Sequence, residues 1–186
     1  NKSGYAEQEG EMAEEMRRLE ESKDETALTV ENKFLKHHTL SAWYFGIHNY
    51  ESCYRHLQYN AELIENNSFL FNDEPNVYFS VLSNLIFICS NTNRKNEALD
   101  ALNRLRNVGA LFSLENNEDL ELKHFNMLAS AEIALFKESG NYAESLLFAP
   151  KIENALDRFI DKMNSTRKAF YYFNLSCIYL TNSKFA

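Results

Sequence analysis

The residues of this chain best suited to hold a metal or attack a substrate are five histidines and three cysteines, and their spacing argues against both. The histidines are His37, His38, His48, His56 and His124. None belongs to a His-Glu-x-x-His helix, which would set two imidazoles one turn apart on one face, and none lies at ligand spacing from a cysteine. His48 and His56 straddle a turn, and the adjacent His37 and His38 fit surface-and-core alternation on one helix. No metal ligand is therefore expected. Cys53, Cys89 and Cys177 are odd in number, far apart and set in apolar helical patterns, whereas a disulfide framework or zinc ribbon needs close pairs. They read as buried thiols in a reducing compartment. Paired acid–base work would need two carboxylates buried together with separated pKa values. Glu14-Glu15 and Glu20-Glu21 instead fit a solvated face. With no nucleophile elbow, phosphate loop or dinucleotide fingerprint in the text, neither an enzymatic activity nor a cofactor is expected.

Bulk properties narrow the class further. At 186 residues with 45% hydrophobic content, the chain can bury a real core. Five Gly and two Pro are too few for the turns of an all-β protein, which favours long helices. The net charge of −8 repels phosphate backbones and anionic lipid, so neither nucleic acid nor a membrane is an expected partner. From Glu7 to Glu25 the excess is local, with eight Glu and one Asp against three basic residues. The longest apolar run, around Leu82 to Cys89, is broken by Ser83 and Asn84 and is too short to span a bilayer. A cytoplasmic location is expected. The chain begins at Asn1 rather than Met, which leaves a removed leader or a truncation open.

The elements that must position any site are helices. Residues 1–10 read as loosely ordered, and a charged helix follows in which Met12, Met16 and Leu19 fall three to four apart. Ser22 and Glu25 have capping-box spacing, predicting a second helix from there to Gly46. Its partner spans Tyr50 to Glu65. A loop with an apolar plug, Phe69-Leu70-Phe71, leads to Pro75, with Asp73 or Glu74 as candidate caps for the next helix. Further helices are predicted from Pro75 to Ser90, Lys95 to Asn107, Asn117 to Glu138, and from Asn141 onward. Pro150 predicts a kink or break near Ala149. Asn164-Ser165 caps a last helix from Thr166 to Leu180.

A phrase recurs between these helices: Asn49-Tyr50-Glu51-Ser52-Cys53, Lys95-Asn96-Glu97-Ala98, Gly140-Asn141-Tyr142-Ala143-Glu144-Ser145, and Ser183-Lys184-Phe185-Ala186. The small residues Cys53, Ala98 and Ser145 lie 45 and 47 residues apart, a period that fits one helix pair per repeat.

The chain resembles tetratricopeptide-like repeats over about residues 25–186. That resemblance rests on Leu40-Ser41, Tyr44, Asn49-Tyr50 and Cys53 in the first pair and on Phe136, Gly140, Tyr142 and Ser145 in the third. The last copy offers Tyr172, Leu175-Ser176, Tyr179, Ser183 and Phe185; the second is degenerate, with Leu82, Leu85-Ile86, Cys89 and Ala98. It implies an all-α, right-handed solenoid of antiparallel hairpins, an α-α superhelix, with Tyr50, Tyr142 and Phe185 at equivalent junctions. Residues 1–23 would form a charged extension and residues 24–186 the repeat domain. The period exceeds the family's usual length of about 34 residues. Ala186 falls where a second helix would begin, so the domain is read as truncated there.

In such solenoids the first helix of each pair lines a concave groove. Carried onto this chain, the groove positions are His38, Phe45, Ser83, Phe87, Asn91, Lys137, Phe173 and Cys177. The competing reading makes the aromatics simple core, as aromatics at helical spacing usually are. The resemblance implies a protein or peptide partner, taken as a scaffold or regulatory module without catalysis. The family's best-known clamp grips a carboxylate with Lys, Arg and Asn. Ser, Ala, His and Phe hold most of those places here, so an acidic tail is not the expected ligand. Two alternatives stand beside this one: a peptide-sensing domain regulating an attached effector, and a structural module forming homo-oligomers through its unpaired last helix.

Overall fold

Apolar residues at three- and four-residue spacing fold as helices throughout, and the sparse punctuating residues mark where each one ends. The computed structural model describes residues 2–22, 28–114, 117–140 and 142–182, with the side chains of residues 2–9, 138–139 and 142–143 left outside that description. The described residues form eight α-helices: α1 (Lys2–Glu21), α2 (Val30–Gly46), α3 (Tyr50–Asn66), α4 (Asn76–Asn91), α5 (Lys95–Arg106), α6 (Glu118–Ser139), α7 (Tyr142–Phe159) and α8 (Ser165–Asn182). Three short 3-10 turns join them, and no strand occurs among the described residues. The protein is all-α. None of its described helices is long and apolar enough to cross a membrane.

Several boundaries differ from the sequence reading for identifiable reasons. Helix α1 reaches back to Lys2, through the segment expected to be loose. Ala6, Glu7, Gln8 and Glu9 are strong helix formers, and Gly4 and Gly10 each cost only about 1 kcal/mol relative to Ala. Ser22 does not open α2. Its hydroxyl donates to the Leu19 carbonyl at 2.6 Å and closes α1, while its expected partner Glu25 lies outside the described residues. The cap of α2 is Thr29, in extended backbone, whose hydroxyl accepts from the Asn32 amide. Neither Asp73 nor Glu74 caps α4. Pro75 occupies that position with no side-chain cap, and its carbonyl accepts from the Tyr78 amide. Of the predicted plug only Phe71 is buried; Phe69 and Leu70 are exposed.

The break expected at Pro150 is absent, because α7 runs through it as one helix. Proline there removes the amide that would bond the Leu146 carbonyl. Leu146, Leu147 and Pro150 all face solvent, whereas Phe148, Ala149 and Ile152 are buried. Burial of one face holds both turns in line, while the carbonyl that lost its partner lies on the wet side.

A residue in the left-handed region follows α2, α4 and α6 within two positions. His48, Asn93 and Gly140 have φ of 59°, 58° and 66°, in the left-handed region. Each stands five residues before its buried small residue, Cys53, Ala98 or Ser145. At the first, the His48 amide donates to the Phe45 carbonyl and the Asn49 amide to that of Tyr44. At the second, Asn93 donates to Ser90 and Arg94 to Cys89. This is the paired bonding that satisfies the last carbonyls of a helix while reversing the chain. At the third, the Gly140 amide donates to Phe136. The expectation for Tyr142 and Phe185 falls on positions outside the described side chains, and Ser183–Ala186 lie outside the described residues altogether.

The chain divides into two compact units, Asn1–Ala101 and Leu102–Ala186, the division falling within α5. In the first unit α3 packs against both α2 and α4, and α1 lies on α2. Leu40, Leu57, Ala61, Ile64, Leu82 and Ile88 are sealed at its centre. In the second unit α7 packs against both α6 and α8. Its core gathers Ala129, Ile133, Phe148, Ile152, Tyr171 and Ile178. The last turn of α5 docks on α6 through two ties. Arg106 grips the buried Glu132 carboxylate with two bonds, at 2.7 and 2.8 Å, and His124 Nε2 donates to the Leu105 carbonyl at 2.7 Å.

Candidate functional site

Helical spacing gives α2 a stripe of His38, Ser41, Ala42 and Phe45, at i, i+3, i+4 and i+7. Helix α4 presents Asn84, Phe87 and Ile88 in the same manner. These two stripes flank α3, whose Cys53 and Leu57 form the floor between them, and together they line a cavity of about 410 Å³. That volume is enough for one large side chain and its adjoining backbone.

Exposed aromatics form the walls. Phe45 and Phe87 are 45% and 53% exposed, an unusual state for phenylalanine, and meet edge-to-face with centroids 6.0 Å apart. His38 stacks on Phe34 at 5.6 Å, which fixes its ring at the rim. Ser41 turns its hydroxyl back to the His38 carbonyl at 2.7 Å, while the Asn84 amide is left open to solvent. The Cys53 thiol is pushed up to about 11 by burial, so it stays protonated and is no nucleophile. No Asp, Glu, Lys or Arg lines the groove, and its base around Leu57 and Ile88 is apolar.

The second unit builds the same seat from equivalent positions. Phe45 and Cys53 lie 92 residues before Lys137 and Ser145, while Asn84, Phe87 and Ile88 lie 90 residues before Asn174, Cys177 and Ile178. Here the cavity is only about 40 Å³, room for about one water molecule. Asn174 donates to the Phe170 carbonyl at 2.7 Å, and its buried Oδ1 has no hydrogen-bond partner among the described residues. Phe173, 63% exposed, stands beside the seat with the Lys137 ammonium 5.8 Å from its ring centre.

Of the eight residues picked from sequence, His38, Phe45 and Phe87 come together in the roomy groove, and Lys137 and Cys177 line the small one. Phe173 adjoins the small one. Ser83 is half-buried and Asn91 sits at the exposed end of α4 with its amide on the Phe87 carbonyl, and neither lines the roomy groove. Asn84, Ser41 and Ala42 were missed. The signal was in the stripe: counting back three from Phe87 gives Asn84, whereas counting back four gives Ser83. His37 is buried and His38 exposed, as the alternation on one helix required. Among the described residues, no group of three His, Cys, Asp or Glu is placed to hold a metal ion. No family model, curated protein or solved structure matches the chain.

Proposed function

We propose that this chain is a non-catalytic module of tetratricopeptide-like helix pairs, stacked as a right-handed superhelix, that binds a protein or an extended peptide. The observation carrying the proposal is the groove of the first unit, where Phe45 and Phe87 stay half in solvent above an apolar floor. Exposed aromatics around a concave site are suited to gripping an apolar side chain. Asn84 and His38 at the edge are suited to a peptide backbone. A left-handed residue five places before each buried small residue, and the reuse of one three-helix seat, support the repeat reading.

A second reading is self-association through α8, favoured by Phe173 and Leu180, 63% and 60% exposed on that helix. One experiment separates the two. Tagged chain is used to recover partners from lysate containing untagged copies, with Phe45→Ala, Phe87→Ala and Phe173→Ala in parallel. Groove binding predicts that a discrete partner is lost with Phe45→Ala and Phe87→Ala and kept with Phe173→Ala. Self-association predicts recovery of the untagged chain, lost only with Phe173→Ala. A partner retained by both groove variants, with helicity intact, removes the groove from the account.

A further inference from the structure

The groove of the first unit is bounded by rings, and their spacing along α2 is regular. His38 and Phe45 stand two turns apart on one face of that helix, about 10 Å of helix rise. Between them, only the small side chains of Ser41 and Ala42 line the groove. Each ring is propped by others. His38 stacks on Phe34, which in turn meets Phe71 edge-on at 5.7 Å. Phe45 leans on Phe87 across the groove and on Tyr50, 6.1 Å away. Two aromatic posts therefore flank a notch floored by Cys53 and Leu57.

That spacing discriminates between side chains. Favourable ring pairs hold their centroids about 4.5–7 Å apart, offset or edge-to-face. A third ring set midway between the posts, about 5 Å from each, would meet both at once. The Cys53 sulfur on the floor adds a contact that favours a ring over an alkyl chain. A branched alkyl side chain would bury itself there with no quadrupole to answer the posts. A carboxylate, ammonium or guanidinium would lose its water with no Asp, Glu, Lys or Arg in the lining to replace it. In the second unit, Ser130 and Lys137 hold the places of His38 and Phe45, 92 residues on, and the seat of about 40 Å³ is too small for a ring.

Resting on the proposal that this groove binds a polypeptide, we infer that its anchor is an uncharged aromatic side chain (phenylalanine, tyrosine or tryptophan) on an extended segment of the partner. The ring enters between His38 and Phe45, above Cys53 and Leu57. The segment's backbone stays at the mouth. There the solvent-exposed Asn84 carboxamide can accept from one peptide N–H and donate to one carbonyl. Each ring pair adds about twofold to tenfold in affinity beyond simple burial. The preference for an aromatic over an aliphatic anchor is therefore set by the posts, while the floor serves both.

The test titrates three capped tripeptides, Gly-Phe-Gly, Gly-Leu-Gly and Gly-Glu-Gly, into the isotope-labelled chain and follows backbone amide shifts by nuclear magnetic resonance. The phenylalanine peptide should move the amides of Ser41, Ala42 and Asn84 and bind at least about fourfold tighter than the leucine peptide, from two ring pairs. The glutamate peptide should leave those amides in place, and none of the three should move Asn174 or Cys177. Phe45→Leu keeps an apolar wall but removes one post, so the preference should fall by at least about twofold. A smaller native preference, an unchanged one in Phe45→Leu, or groove binding by the glutamate peptide overturns the aromatic anchor while leaving the groove a polypeptide site. No shift at residues 41, 42 or 84 with any of the peptides removes the groove itself, and the anchor with it. Should Phe45→Leu fail to fold, the native comparison decides alone.

Discussion

At the scale of single residues, His56 carries the clearest solution consequence. Its folded pKa lies near 4, below the ordinary 6.5, because burial and the facing His37 penalise the cation. As pH falls, the unfolded chain therefore takes up this proton before the folded one does. The stability it contributes is complete above about pH 6.5 and is lost progressively as pH falls toward about 4, with an upper bound of about 3 kcal/mol. Urea unfolding at pH 7 and pH 4.5 should show that loss, and His56→Gln should lessen the difference between the two. Equal pH dependence in both proteins would show that His56 is not its source. Of this residue-scale chemistry, the sequence shows only the alternation of His37 and His38. The contact of His37 with His56 spans 19 residues and two helices, and no local pattern announces which imidazoles will meet across a hairpin.

Among elements, α2, α4 and α6 are each followed within two residues by one position in the left-handed region, where the chain turns toward the next helix. Three different residues fill it, and only one is glycine, the type without a steric penalty there. Gly140→Ala should cost about 1–2 kcal/mol from backbone conformation alone, since a Cβ at Gly140 would meet nothing within 4 Å. Gly46→Ala, at an exposed helical position with equal space, should be neutral or stabilising by about 0.5–1 kcal/mol. Thermal or urea unfolding of the pair checks the contrast; equal effects would remove the turn's special role. Helix existence was legible because period and punctuation agree, as at Asn117 and Asn164, whose side chains cap α6 and α8. Boundaries were less so. Pro150 misled because its local rule acts on the exposed face, and the burial of Phe148, Ala149 and Ile152 on the other face outweighs it.

For the molecule as a whole, each unit sets a second helix between two first helices and leaves a seat where the three meet. The two seats lie 90 to 92 residues apart, about twice the 45- to 47-residue spacing of Cys53, Ala98 and Ser145. Which seat is open was not readable, because it turns on the volume left by Phe45, Ala42 and Phe87 against that left by Lys137, Phe136 and Cys177. A ligand pocket forms where side chains fail to fill space, and a one-dimensional pattern records only which face they share. The central claim is that the open seat of the first unit receives a polypeptide. Its most direct test places a photoreactive benzoylphenylalanine at Ala42 or Asn84, with the exposed Asp157 as control, and irradiates the chain in lysate. The account predicts one discrete adduct from positions 42 and 84, none from 157, and loss of that adduct when Phe87→Ala is added. No adduct from either groove position, or the same adduct from 157, contradicts it.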